Sequence, residues 1–144
     1  MKSKEIRTQI ITKLRERGFK LTPQRIEIIY ILSSDKSHPS ANDLLLKARE
    51  RNPKISMSTV YYTLNLLKRE GLIMEIDFYD KSNRYDSNVS DHLNLICMQC
   101  GKIEDFEDLA PVSFEEIEKT TGFKTFDTRF EYHGYCKECK QKRR

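Results

Sequence analysis

The chain of 144 residues has no tryptophan, only three histidines, and four cysteines. No stretch approaches the ~20 apolar residues that a membrane-spanning helix requires. The N-terminus, Met1-Lys2-Ser3-Lys4-Glu5-Ile6-Arg7, is polar and leads into no apolar run of signal-peptide length. A soluble, cytoplasmic protein is therefore expected. With 33% of residues charged and no tryptophan, any core is modest. No internal repeat is visible, and no nucleophile–base arrangement stands out, so no catalytic residue is assigned.

The scarce cysteines carry the strongest signal. They fall in two equal pairs, Cys97-Met98-Gln99-Cys100 and Cys136-Lys137-Glu138-Cys139. Two thiolates three positions apart can grip one tetrahedral ion from a tight turn, and two such turns complete a four-cysteine structural zinc site. Gly101, directly after Cys100, suits such a turn because glycine tolerates positive φ. Disulfides compete with this reading, but a reducing cytosol disfavours them. A redox-active dithiol would use one pair and leave the other idle. A zinc deaminase needs a His-x-Glu element and a proline before its C-x-x-C. Here His92 is followed by Leu93-Asn94, and neither pair has that proline.

Charge divides the chain. Residues 1–86 carry 17 Lys+Arg against 11 Asp+Glu, a net of +6, whereas residues 87–144 carry 9 against 11, a net of −2. A basic half joined to an acidic, cysteine-bearing half points to a polyanion binder coupled to a metal-holding module. Expected domains are 1–86, binding a polyanion, and 87–144, holding the metal.

Apolar spacing predicts four helices in the basic half. The first runs from Glu5 to Arg17 and ends at Gly18. The second opens at Thr22-Pro23, with Ile26, Ile29, Tyr30 and Leu32 as its buried stripe. The third is capped by Ser40 and closes before Pro53. The fourth is capped by Ser56 or Ser58 and closes at Gly71. Val60, Leu64 and Leu67 mark its inner face, leaving Ser58, Thr59, Tyr61, Tyr62 and Asn65 outward. Hydroxyls and aromatics on an N-terminal helical turn are what a helix entering a DNA major groove presents. Leu72 to Phe78 then alternates like a strand, Asp80 to Asn83 reads as a turn, and Arg84-Tyr85-Asp86 as a returning strand. Helices followed by a hairpin give a winged helix–turn–helix. Lys13, Arg15, Arg17, Lys20, Lys54, Lys68 and Arg84 are the candidates to meet phosphates.

Ser87 to Asp91 reads as a hinge. Beyond it, His92 to Cys97 and Lys102 to Phe106 read as strands, Pro111 to Thr121 as a helix, and Phe123 to Tyr132 as a further strand. The tail from Gln141 is read as disordered. The fold class is thus α+β: an N-terminal winged helix–turn–helix, then a small α/β module holding the four-cysteine zinc. A second metal site is suggested by His92 and Asn94, which share one face of a strand. His38, Asp86 and Asp105 add the nitrogen and oxygen donors that suit iron(II) or manganese(II). Each has an ordinary alternative: His38 a loop histidine, Asp86 a partner of Arg84, Asp105 one acid in an acidic run.

The segments Leu21-Thr22-Pro23-Gln24-Arg25, His38-Pro39-Ser40-Ala41, Ser58-Thr59-Val60-Tyr61, Arg84-Tyr85-Asp86, Asp91-His92, Cys97-x-x-Cys100-Gly101-Lys102 and Cys136-x-x-Cys139 resemble the ferric uptake regulator family of metal-dependent repressors. The resemblance implies a cytoplasmic homodimer on double-stranded palindromic operator DNA, with no membrane association and no small organic substrate. It matches Cys97, Cys100, Cys136 and Cys139 to structural Zn2+ ligands. His38, Asp86, His92 and Asp105 match ligands of a regulatory Fe2+ or Mn2+ that bridges the domains, and Asn94 stands where the family commonly has a further histidine. Tyr61 falls at a base-contacting position. Aspartates at 86 and 105 are similar to the peroxide-responsive branch, in which oxidation of ligand histidines, here His38 and His92, frees the promoter. An iron-uptake repressor read by occupancy alone is the rival; a zinc-uptake regulator is a third possibility. A histidine the family often has near Asp127-Thr128 is missing, which puts an additional metal site there in doubt. His133 is read as structural.

Overall fold

The protein is described from a computed structural model over residues 2–77, 82–89, 93–106, 112–126 and 128–143. It packs as two units, Met1–Val89 and Ser90–Arg144. Asn88 N–H donates to Asp86 Oδ1 at 2.9 Å, tying the residues after the strand back to it.

The first unit holds helices α1 Ser3–Glu16, α2 Pro23–Ser34, α3 Ala41–Arg51 and α4 Met57–Arg69, then strands β1 Met74–Ile76 and β2 Arg84–Asp86. Local chemistry sets each helix boundary. Gly18, at φ +83°, turns the chain out of α1. Thr22 Oγ1 accepts from Arg25 N–H at 3.2 Å, with Pro23 in the first turn of α2. Ser40 and Asp43 exchange side-chain-to-backbone bonds at the start of α3, satisfying two orphan donors at once. Of the two candidate caps for α4, Ser56 serves: its Oγ accepts from Thr59 N–H at 3.2 Å, so Ser58 lies inside the helix.

The buried residues of α2 are Ile28, Ile29, Leu32 and Ser33 rather than the stripe Ile26, Ile29, Tyr30, Leu32. α2 packs against α1, α3 and α4, so no single helical face can mark it. Tyr30 instead faces outward, with Arg7 over its ring at 4.2 Å and Arg51 at 5.5 Å. Ile10, Leu14, Ile29, Leu44, Val60 and Leu64 belong to one apolar cluster that draws on all four helices. Leu64→Ala is expected to cost ~2–5 kcal/mol, as other buried leucine truncations do; a urea midpoint unchanged from wild type would contradict its place there. The hairpin β1–β2 is antiparallel with Met74 opposite Asp86, and its ladder is shorter than the Leu72–Phe78 alternation suggests. Leu72 and Ile73 are buried in the helical core instead of pairing, and Phe78 lies outside the described residues.

In the second unit, β3 Leu93–Cys97 is the middle strand of a three-stranded sheet, antiparallel to β4 Ile103–Phe106 and parallel to β5 Glu131–Gly134. Being central, β3 buries Leu93, Asn94, Ile96 and Cys97, on both faces rather than one. α5 Phe114–Thr121 begins later than Pro111 because Ser113 Oγ caps it through Glu116 N–H at 3.1 Å. The strand expected over Phe123–Tyr132 forms only at its end. Asn94 N–H donates to Phe130 O at 2.9 Å where the pairing begins, and Phe123 and Phe126 are exposed. The C-terminal residues are not a disordered tail: α6 Lys137–Lys142 extends into them, and Arg143 lies over the Tyr135 ring at 4.1 Å.

Candidate metal centres and a candidate DNA-reading face

Cys97 closes β3, and Gly101 at φ +77° lets the chain double back after Cys100. Lys102 O accepts from Cys97 N–H at 2.9 Å, and Gly134 O accepts from Met98 N–H at 2.8 Å, so the first C-x-x-C turn is fixed to both neighbouring strands. Cys136 sits at the N-cap of α6, and Cys139 lies buried one turn into it. The four sulfurs all lie within 4.8 Å of one another. Cys100 Sγ and Cys136 Sγ are 3.8 Å apart. A tetrahedral ion with Zn–S bonds of ~2.3 Å sets its sulfurs about 3.8 Å apart, so the cluster has the size of a zinc thiolate cage. It is too wide for an S–S bond of ~2.05 Å.

The metal-free electrostatics favour a cation here. Backbone N–H groups of Cys100 and then Cys136 pull the Cys97 thiol down to about 6. Bonding to Cys136, with some burial, pushes the Cys139 thiol up to about 12. One sulfur is thus poised as a thiolate while another keeps its proton, and loading an ion must expel protons. A thiol with a depressed folded-state value stabilises the fold at high pH and loses that contribution as pH falls through about 6. Bound zinc lowers the value further. Protons compete with zinc for the four sulfurs, so zinc release, followed with a colorimetric chelator, is expected to increase as pH falls; release independent of pH would contradict the cage.

A second set of donors lies in the first unit. His38 is 4% exposed, and its Nε2 is 3.2 Å from Asp86 Oδ2. Two ligands with ~2.1 Å bonds to one ion stand about 3.0 Å apart in an octahedron and 3.4 Å in a tetrahedron, so the pair has the bite of two adjacent ligands. His38 also has φ +58°, the left-handed region, alone among the described non-glycine residues. Such a backbone costs ~1–3 kcal/mol and persists where surroundings over-determine it. The Arg84 guanidinium donates to Ser37 O at 2.6 Å and to His38 O.

In the second unit, Asn94 pairs with Asp105 across β3–β4. Asn94 is 4% exposed, and among the described residues no donor meets its Oδ1. A buried, unsatisfied amide oxygen is costly unless something outside the chain satisfies it; a hard cation would. Asp105 is exposed. His92 and Asp127 lie outside the described residues. His133 Nε2 meets Glu131 Oε2 at 3.1 Å.

On α4, Ser58, Tyr61, Tyr62 and Asn65 are exposed and Thr59 is half-buried, while Val60, Thr63, Leu64, Leu66 and Leu67 face the core. Sequence reasoning assigned no role to Arg25. Its guanidinium lies 4.5 Å over the Tyr62 ring and donates to Lys20 O at 2.5 Å, joining the α2 start to the outward face of α4. The signal was present, since Arg25 closes the Leu21–Arg25 segment. Arg17 is committed to Glu70, donating to its backbone O at 2.8 Å and to Oε1 at 3.2 Å. It braces the end of α1 against the end of α4. Lys20 is exposed.

A four-helix, hairpin-bearing unit with an outward aromatic helix, followed by a unit carrying a four-thiolate cage, defines a metal-dependent regulator of the winged-helix class. The chain belongs to the ferric uptake regulator family, whose model matches residues 16–133. It is 36% identical over 138 residues to the peroxide operon regulator of Bacillus subtilis (strain 168), covering 93% of both chains. Its fold is similar to that of the Helicobacter pylori ferric uptake regulator Fur, described as having three functional metal-binding sites. That match has a TM-score of 0.73 and 26% identity, and it covers 97% of this chain and 95% of the other. It is also similar to a zinc uptake regulator complexed with zinc and DNA, with a TM-score of 0.67 and 25% identity, covering 99% and 98%.

Proposed function

We propose that this chain is a cytoplasmic, homodimeric repressor whose grip on palindromic operator DNA depends on a regulatory iron(II) or manganese(II), and which hydrogen peroxide relieves. Cys97, Cys100, Cys136 and Cys139 hold structural zinc and maintain the dimerising unit. His38, Asp86, His92, Asn94 and Asp105 hold the regulatory ion. Ser58, Thr59, Tyr61, Tyr62 and Asn65 meet the operator bases, and Lys20 its phosphates. The reading assigns no catalytic residue.

The observation that carries the regulatory site is the buried His38–Asp86 pair at ligand-to-ligand spacing. The unmet Asn94 oxygen supports it, since an amide oxygen is a hard donor suited to manganese or iron. Kinship to a peroxide operon regulator supports peroxide as the signal. Iron(II), when bound, supplies one-electron reduction of peroxide beside the ligand rings. Oxidation of the His38 or His92 ring, a net two-electron step in which one peroxide oxygen enters the ring and the other leaves as water, would remove a nitrogen lone pair from the ligand set and weaken the hold on the ion.

The decisive experiment begins with protein purified without oxygen. Operator binding is measured with manganese, with iron, and with iron plus peroxide, and the protein is then analysed by mass spectrometry. Binding in the first two conditions is expected, with its loss in the third accompanied by one added oxygen on His38 or His92. Unmodified histidines with DNA still bound would reduce the protein to an occupancy-read iron repressor. Zinc as the only effective ion would make it a zinc-uptake regulator.

A further inference from the structure

Arg84 was read from sequence as a phosphate candidate, yet its guanidinium is engaged by backbone carbonyls of the same unit. Nη2–H donates to Ser37 O at 2.6 Å, and Nε–H donates to His38 O. Two consecutive carbonyls therefore converge on one side chain. Extended backbone cannot do this, because successive carbonyls of a strand point to opposite sides. A right-handed turn at His38 is disfavoured by Pro39, whose ring crowds the preceding residue out of that region. The left-handed conformation is what remains, and His38 has it at φ +58°.

The strand that carries Arg84 also carries Asp86. Alternate strand residues point the same way, so both face the 37–40 segment while Tyr85 between them is buried on the other side. Tyr85 N–H donates to Pro39 O at 3.0 Å, and Ser40 forms an antiparallel bridge with Arg84. The backbone at 39–40 is thus locked to β2 just beyond the strained residue, and Nε2 of His38 arrives 3.2 Å from Asp86 Oδ2.

We infer that Arg84 is a positioning residue of the regulatory site: its two bonds to Ser37 O and His38 O select the left-handed backbone that aims the His38 imidazole at Asp86. The inference rests on the proposed reading of that pair as metal ligands. A guanidinium fork suits the task because two parallel donors are held in one plane, whereas a lysine ammonium cannot span both carbonyls with fixed geometry.

The test uses the full-length, zinc-loaded protein with Arg84→Lys, Arg84→Gln and Arg84→Ala, and Mn2+ as the probe. Outer-shell partners of metal ligands commonly change affinity by about 10–100-fold. Manganese binding by calorimetry is expected to weaken by roughly that factor in the alanine variant and by less in the lysine and glutamine variants. Zinc content and the salt slope of binding to random DNA should stay at wild-type values. In protein carrying zinc alone, nuclear Overhauser contacts between the His38 ring and Asp86 should be present in wild type and lost in the variants. Should Arg84→Ala not fold, the lysine and glutamine variants carry the same readouts. Manganese affinity within twofold of wild type, or retained His38–Asp86 contacts, would overturn the inference. A salt slope reduced by about one with manganese binding intact would return Arg84 to the phosphates. If wild type takes up no manganese while the contacts vanish on mutation, the regulatory reading fails and the positioning role stands.

Discussion

Cys97→Ser is expected to melt the second unit and leave the first folded. The second unit buries little: Leu93, Ile96, Cys97, Ile103 and Cys139 are its buried apolar residues among those described, while Phe123, Phe126, Tyr132 and Tyr135 are exposed. A module this small rarely holds together on apolar burial alone and leans on a staple. Structural zinc contributes an apparent ~10–16 kcal/mol, comparable to or above the ~5–15 kcal/mol that holds a whole domain. The cage also joins elements far apart in the chain, the β3 end through Cys97 and α6 through Cys139. The apolar cluster of the first unit involves none of the cysteines, so its helices should survive. Circular dichroism is expected to show helix largely retained, metal analysis no zinc, and sedimentation a monomer. A variant that stayed dimeric and fully folded without zinc would remove the staple from the account. Cys139→Ser should behave the same way, since a three-thiolate site gives up a ligand from the opposite arm.

Tyr61→Ala should weaken binding to the operator far more than binding to random DNA. The Tyr61 side chain is 47% exposed, and α4 buries its opposite face, so the ring adds little to the core. Loss of a base contact costs ~1–3 kcal/mol, or about 5- to 150-fold, and only on the sequence being read. Phosphate neutralisation is untouched, so affinity for random DNA and its salt slope should hold. Paired titrations on operator and scrambled DNA at two salt concentrations measure both. Equal losses on the two sequences would mean that α4 does not enter the groove with this face. Tyr62 is a less clean probe, because Arg25 stacks on its ring and removal would also loosen the link to α2.

Much of the fold was legible because its signals are local. Thr22, Ser40 and Gly18 act within one helical turn, and each marks the boundary the sequence suggests. The two C-x-x-C pairs announce the cage because a tetrahedral ion requires that spacing on both arms. What stayed hidden depends on neighbours. The burial of α2 could not be read from periodicity because three helices surround it. The Phe123–Tyr132 alternation overstated a strand: β5 takes only its last two residues, and Phe123 and Phe126 are exposed instead of covering a sheet. Arg84 looked like any basic residue on a wing; the carbonyls of Ser37 and His38, distant in sequence, engage its guanidinium. At the proposed regulatory site the sequence supplied the ligand types, while the spacing of His38 and Asp86 depends on the pairing of residues 39–40 with β2, which is long-range.

The left-handed backbone at His38 narrows what can ever stand there. Asparagine, aspartate and glycine tolerate that conformation, but none of them brings an imidazole nitrogen; β-branched and bulky side chains resist it. A saturation library at codon 38 should therefore separate into two survivor lists. Selection for a soluble product would admit asparagine, aspartate and glycine beside histidine, and selection for a regulated promoter would return histidine alone.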